Sequence, residues 1–193
     1  VETRTTGCDH FCRYIFRREK KIQALFHSPK KFSRRFLGCE IMLEFFSPDE
    51  EATARLAAQI ASRAQSGDVF ALYGTLGMGK SVFARAFIQA LTGAEEVPSP
   101  TFTLLQTYDA PEFEIYHYDL YRLKSPEEVF ELNIEEAIYG GVCLIEWPEK
   151  MGGYLPRQAL KINIAPENNG RRLTLDCADN RRLSRFNDVK AGN

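Results

Sequence analysis

From residue 42 onward, the spacing of apolar positions switches repeatedly between the two-residue period of strands and the three-to-four-residue period of helices. Leu43-Glu44-Phe45-Phe46 reads as a short strand. Ser47-Pro48-Asp49-Glu50 then supplies an N-cap, a first-turn proline and acids at the positive end of a helix. That helix carries Leu56, Ala57, Ile60, Ala61 and Ala64 on one face and stops at Ser66-Gly67-Asp68. Val69-Phe70-Ala71-Leu72-Tyr73 is a continuous apolar run of strand length. A glycine-rich loop joins it to residues 81–91, where Val82, Phe83, Ala86, Phe87, Ala90 and Leu91 form a broad helical face.

Further strands are predicted at 103–108, 114–119, 142–146, 160–164 and 173–177, with helical stretches at 126–132 and 134–139. Strands alternating with helices, followed by adjacent strands late in the chain, predict a mixed sheet covered by helices. A chain of 193 residues suffices for one such α/β domain. There is no internal repeat and no low-complexity tract.

Residues 1–41 break the pattern. They lack lasting periodicity and carry ten Lys/Arg against four Asp/Glu, which leaves 15 basic and 22 acidic side chains in the rest of the chain. The expected organisation is a basic leader over 1–41, a domain over 42–180 and a C-terminal tail over 181–193. Met42 reads as the natural start, with the leader disordered or a non-native extension; a basic arm or an Arg-rich targeting leader is the alternative. The acidic body argues against broad binding to nucleic acid, which depends on neutralising phosphates with Lys and Arg, and favours a protein partner.

An apolar fraction of 44% and a charged fraction of 26% suit a soluble globular protein, and no apolar run approaches a membrane span. Five cysteines, an odd number, and no signal-peptide core point to free thiols in the cytoplasm. Cys8, His10 and Cys12 lie close together, but no second ligand pair follows at zinc-site spacing. Cys143, inside an apolar run, is read as a core residue.

The chemistry starts at Gly74-Thr75-Leu76-Gly77-Met78-Gly79-Lys80-Ser81, which matches G-x-x-x-x-G-K-[ST] between a predicted strand and a predicted helix. Glycines let successive backbone N–H groups turn around phosphate oxygens, and the helix N-terminus adds its dipole. Lys80 is expected to reach the β- and γ-phosphates, and Ser81 to place its hydroxyl on Mg²⁺. An acid near the metal is also required. Asp119 and Glu146, each ending an apolar strand, are the two candidates. His117 is read as structural, because in-line phosphoryl transfer needs positioning more than a histidine base. Trp147, the only tryptophan, is assigned to packing, with a contact near the nucleotide or a partner as the alternative.

Four blocks carry a resemblance: the glycine loop, Val97-Pro98-Ser99-Pro100-Thr101-Phe102-Thr103-Leu104, His117-Tyr118-Asp119-Leu120-Tyr121-Arg122-Leu123 and Glu146-Trp147-Pro148-Glu149. In order and spacing the chain resembles the bacterial TsaE (YjeE) ATPases over about residues 43–177. The resemblance implies a P-loop NTPase fold, three-layer α/β/α with a mixed, mostly parallel sheet. It also implies a Mg²⁺-dependent ATPase subunit needed to form N6-threonylcarbamoyladenosine at position 37 of tRNAs reading A-starting codons. That subunit acts with TsaD and TsaB, touches tRNA only through the complex, and requires no membrane.

Ser81 and Glu146 are then the metal ligands. Glu50, Gly74, Gly77, Met78, Gly79, Lys80, Ser81 and Val82 hold the nucleotide, and Lys80, Thr101, Asp119 and Glu146 form the catalytic set. Thr101 and Asp119 match the two nucleotide-sensing segments, whose contacts change when the phosphate leaves. Three loop residues depart from the usual family loop: Thr75 replaces an Asp, Met78 an Ala and Ser81 a Thr. Ser81 keeps the hydroxyl, Thr75 removes a carboxylate, and Met78 adds bulk unless its side chain points outward.

The rivals are a P-loop small-molecule kinase, a GTPase switch and a nucleotide-dependent interaction module. A kinase needs an acceptor pocket and mobile arginines, for which Arg157, Arg171 and Arg172 are available. No N-K-x-D or T-K-x-D run is present to read guanine, so ATP is favoured. Low basal turnover is expected, because charge on the transferring phosphoryl is often stabilised by an arginine supplied in trans. Arg122 is either an internal contributor of that kind or a salt-bridge partner.

Overall fold

In the computed structural model, which describes residues 42–190, seven strands form one sheet. They are β1 (Leu43–Ser47), β2 (Val69–Tyr73), β3 (Leu105–Asp109), β4 (Glu114–Asp119), β5 (Val142–Glu146), β6 (Leu160–Glu167) and β7 (Gly170–Asp176). Their spatial order is β1-β7-β6-β2-β5-β4-β3. The expectations for the leader, for the Cys8-His10-Cys12 cluster and for Cys39 lie outside the described residues. Strands β6, β2, β5 and β4 are mutually parallel, while β3 and β7 run against their neighbours. Because β1 is antiparallel to β7, it shares the direction of the central four, so five of the seven strands point one way.

Strands β2 and β5 read as unbroken apolar runs because helices cover both of their faces. Phe70 and Leu72 pack with Leu56 and Ile60 of α1 (Glu50–Ala61) and with Phe83 and Phe87 of α2 (Lys80–Thr92). Val69 and Ala71 point to the opposite face. There they meet Val129 and Met151 from the 3₁₀ turns Pro126–Leu132 and Pro148–Tyr154, and Ala137 of α3 (Ile134–Gly140). The result is the expected three-layer α/β/α architecture. Registers Leu72↔Glu146 and Asp119↔Glu146 bring the C-terminal ends of β2, β5 and β4 to one edge, the usual crevice for a ligand in such sheets.

Several local expectations change. Asp49, not Ser47, caps α1: its Oδ1 accepts the Ala52 N–H at 2.7 Å, and Pro48 precedes the cap instead of entering the first turn. Ser47 is buried and donates to the Asp49 carbonyl at 2.8 Å. The helix stops at Ala61, and Ala64 reaches the core from the following turn. The strand expected from residue 103 starts at Leu105, because Leu104 adopts φ 65°, a left-handed conformation that cannot continue a strand. Residues 126–132 wind as 3₁₀.

Residues 180–190 pack onto the domain. Helix α4 (Asn180–Ser184) and the turn after it bury Leu183, Phe186 and Val189 in the helix-side core. Cys143 and Cys177 are free and buried, and burial raises the pKa of both thiols. Among the described residues no helix is long and apolar enough to cross a membrane.

Candidate functional site

The loop between β2 and α2 is shaped by glycines in conformations that side chains oppose. Gly74 has φ 144°, and a Cβ there would stand 2.6 Å from the Ile164 carbonyl oxygen of β6. Gly79 caps α2 at φ 99° with no side-chain hydrogen bond, so the first N–H groups of the helix are not claimed by a side-chain cap. Met78 packs against the helix-side core and adds no bulk to the cleft.

Lys80 folds back over the loop. Its Nζ donates to the carbonyls of Gly74 at 2.6 Å and Thr75 at 3.1 Å, and lies 3.9 Å from the centre of the Trp147 ring. Thr75 therefore contributes its backbone carbonyl to the lysine. Burial lowers the pKa of Lys80, opposed by the nearby carboxylates of Glu146, Glu149 and Asp119. Trp147 reaches this position because it leaves β5 at φ 58°, and Tyr121 packs on it with ring centres 4.9 Å apart.

Two carboxylates stand on adjoining strand ends. Ser81 Oγ donates to Glu146 Oε2 at 2.9 Å, and Glu146 Oε1 lies 3.0 Å from His117 Nε2. Thr101 Oγ1 donates to Asp119 Oδ2 at 2.8 Å, while Asp119 Oδ1 accepts the Tyr121 N–H at 3.1 Å. Glu146 and Asp119 are buried, at 2% and 5% exposure, which is tolerable only because both are hydrogen-bonded. Both candidate acids thus reach the site, but only Glu146 touches Ser81.

Ser81, Thr101, Asp119, Tyr121, Arg122, Glu146 and Trp147 wall a cleft of about 410 Å³, together with Glu50, Gly77, Gly79, Lys80 and Val82, and His117 lies behind Glu146 outside its lining. Gly74 and Met78 lie behind its surface. Glu50 sits 3.8 Å from Arg171, whose guanidinium reaches to within 3.3 Å of where a Gly79 Cβ would lie. Arg172 instead pairs with Glu44 at 3.0 Å and with Glu167, away from the cleft, and Arg157 does not line it. Arg122 makes no ion pair among the described residues; its guanidinium lies over the exposed Phe102 ring at 4.5 Å.

A hydroxyl beside a carboxylate suits a hard, oxygen-seeking cation. Among the described residues no group of three or more His, Cys, Asp or Glu is placed to hold a metal ion by itself. Mg²⁺ is a cation of that kind, and in general it takes most of its ligands from phosphate oxygens and water. Sequence reasoning read His117 as structural and assigned Tyr121 no role of its own. The one available signal for His117 was its i, i+2 spacing to Asp119, which puts both on one face of β4.

The family "Threonylcarbamoyl adenosine biosynthesis protein TsaE" matches residues 47–174. A tRNA threonylcarbamoyladenosine biosynthesis protein TsaE from Rickettsia conorii is 46% identical over 125 residues, 64% of this chain and 71% of its own length. The protein of that name from Bacillus subtilis is 37% identical over 123 residues, 63% of this chain and 77% of its own. Among solved structures, Bacillus subtilis YdiB superposes with a TM-score of 0.63 at 29% identity, covering 77% of this chain and 94% of that one.

Proposed function

This chain belongs to the TsaE family, and from that premise we propose that it is a Mg²⁺-dependent ATP-binding and ATP-hydrolysing subunit in the formation of N6-threonylcarbamoyladenosine on tRNA. It acts with TsaD and TsaB type proteins in the cytoplasm and meets tRNA only through them. The observation that supports this reading best is the pair of bonds Ser81–Glu146 and Thr101–Asp119 at the mouth of the glycine loop.

In this reading the N-terminus of α2 binds the phosphates. Lys80 exchanges its carbonyl partners for phosphate oxygens, a trade that gives an ammonium an anionic acceptor. Ser81 and Glu146 would hold Mg²⁺, which would supply neutralising charge to the phosphate oxygens. Thr101 and Asp119 sit one strand away, so loss of the terminal phosphate alters their mutual bond and passes a signal into the exposed Phe102–Arg122 segment. Tyr121 and Trp147 pack on each other and line the cleft.

The test is phosphate release by the purified full chain, alone and with TsaD, TsaB and tRNA. Slow basal hydrolysis, stimulated by the partners, is expected. Lys80→Ala should reduce turnover by at least about a hundredfold while the variant stays folded. Unchanged hydrolysis in that variant, or a phosphorylated metabolite as product, refutes the reading.

A further inference from the structure

The surroundings of His117 give it a narrower task than packing. It is buried, with 1% of its surface exposed. Its Nε2 lies 3.0 Å from Glu146 Oε1, while its Nδ1 is buried with no hydrogen-bond partner. A carboxylate only accepts, so the bond is made by Nε2–H donating, and the unpartnered Nδ1 keeps a lone pair. The other tautomer would bury an N–H with no acceptor and set two acceptors against each other, which is the costlier arrangement. Glu146 therefore has Oε1 tied to β4 and only Oε2 turned to Ser81 Oγ, 2.9 Å away.

We propose that His117 is a positioning residue: it locks Oε1 of Glu146 so that the carboxylate presents the single oxygen Oε2, beside Ser81, to the metal of a bound metal–nucleotide. This rests on the metal–nucleotide reading above. A ligand carboxylate with one oxygen fastened cannot rotate to a bidentate or withdrawn pose. Loss of such outer partners commonly costs about 10- to 100-fold in metal affinity or activity. A glutamine carries an amide N–H₂ at about the reach of imidazole Nε2, an asparagine stops one methylene short, and a phenylalanine fills the volume without a donor.

The experiment titrates Mn²⁺ into the full chain with saturating ADP and reads free Mn²⁺ by electron paramagnetic resonance, with metal-free ADP binding measured in EDTA. For His117→Phe, the Mn²⁺ affinity is expected to fall about 10- to 100-fold, with metal-free ADP affinity unchanged. His117→Gln is expected to restore Mn²⁺ binding to within about threefold of the parent. His117→Asn, whose amide is too short to reach Oε1, should behave as the phenylalanine variant does, and supplies the comparison if that variant does not fold. Parental Mn²⁺ affinity in the Phe or Asn variant overturns the proposal, as does a Gln variant no better than they are. A parent chain that binds ADP equally with and without Mn²⁺ overturns the metal–nucleotide reading itself, and the positioning role with it.

Discussion

The ε-ammonium of Lys80 is held by two loop carbonyls and one indole face, all of them groups that a phosphate would replace or displace under the proposed function. A cation 3.9 Å from the ring centre is worth about 0.5–2 kcal/mol and polarises the indole. Trp147 is the only tryptophan in the chain, so its emission reports this contact together with the Tyr121 ring packed on it. ADP should draw Lys80 toward its phosphates and change the emission. In Lys80→Ala the unliganded spectrum should already differ from the parent, and saturating ADP should add little. A full parental response in that variant would show that the lysine and the indole are uncoupled. Residue-scale facts of this kind were half legible. The glycine loop is contiguous, so its chemistry is written in eight successive letters. The Lys80–Trp147 and His117–Glu146 contacts depend on where separate strands end, which no local pattern records.

At the scale of elements, strand existence followed from apolar runs, because β2 and β5 are covered on both faces and tolerate little polar content. Boundaries were lost where one backbone angle decides them, as at Leu104, and where 3₁₀ winding competes with α in 126–132. Long-range ties were invisible as well. Asp68 served in the sequence only as a helix stop. In the fold its carboxylate accepts from Arg182 at 3.0 Å and Arg185 at 2.8 Å and also receives the Gln65 N–H at 2.9 Å. It thereby anchors the end of α4 to the turn before β2. Asp68→Ala leaves two guanidinium groups without their carboxylate, with only the carbonyls of Gly67, Arg63 and Arg182 as acceptors. Since both arginines remain partly exposed and can be hydrated, the expected loss is about 2 kcal/mol and not the larger figure for a fully buried charge. Urea unfolding should show a lower midpoint with an unchanged slope; an unaltered midpoint would mean that the arginines find equivalent partners.

At the scale of the whole molecule, stability and chemistry occupy different ends of the sheet. The cleft is walled by residues from the C-terminal ends of β4 and β5, by the loop after β2, and by Glu50, with nothing from 180–189. Those last residues instead close the core beneath α1. Phe186 is fully buried and meets Phe70 edge-on at 6.2 Å, Arg63 pairs with Asp188, and Gln59 bonds both ways with the Lys190 backbone. Phe186→Ala opens a cavity against β2, and large-to-small changes of this kind cost about 3–5 kcal/mol. For a chain of this size that corresponds to a fall in Tm of about 6–20 °C. Because Phe70 and Leu72 stay pinned by Phe83 and Phe87 from the other side of the same core, the glycine loop should keep its shape. The variant should therefore melt early yet bind ADP with the parental Kd below its transition. Calorimetric melting combined with an ADP titration at low temperature separates the two quantities. A variant with parental Tm and weakened ADP binding would mean that the C-terminal segment serves the cleft and not the core.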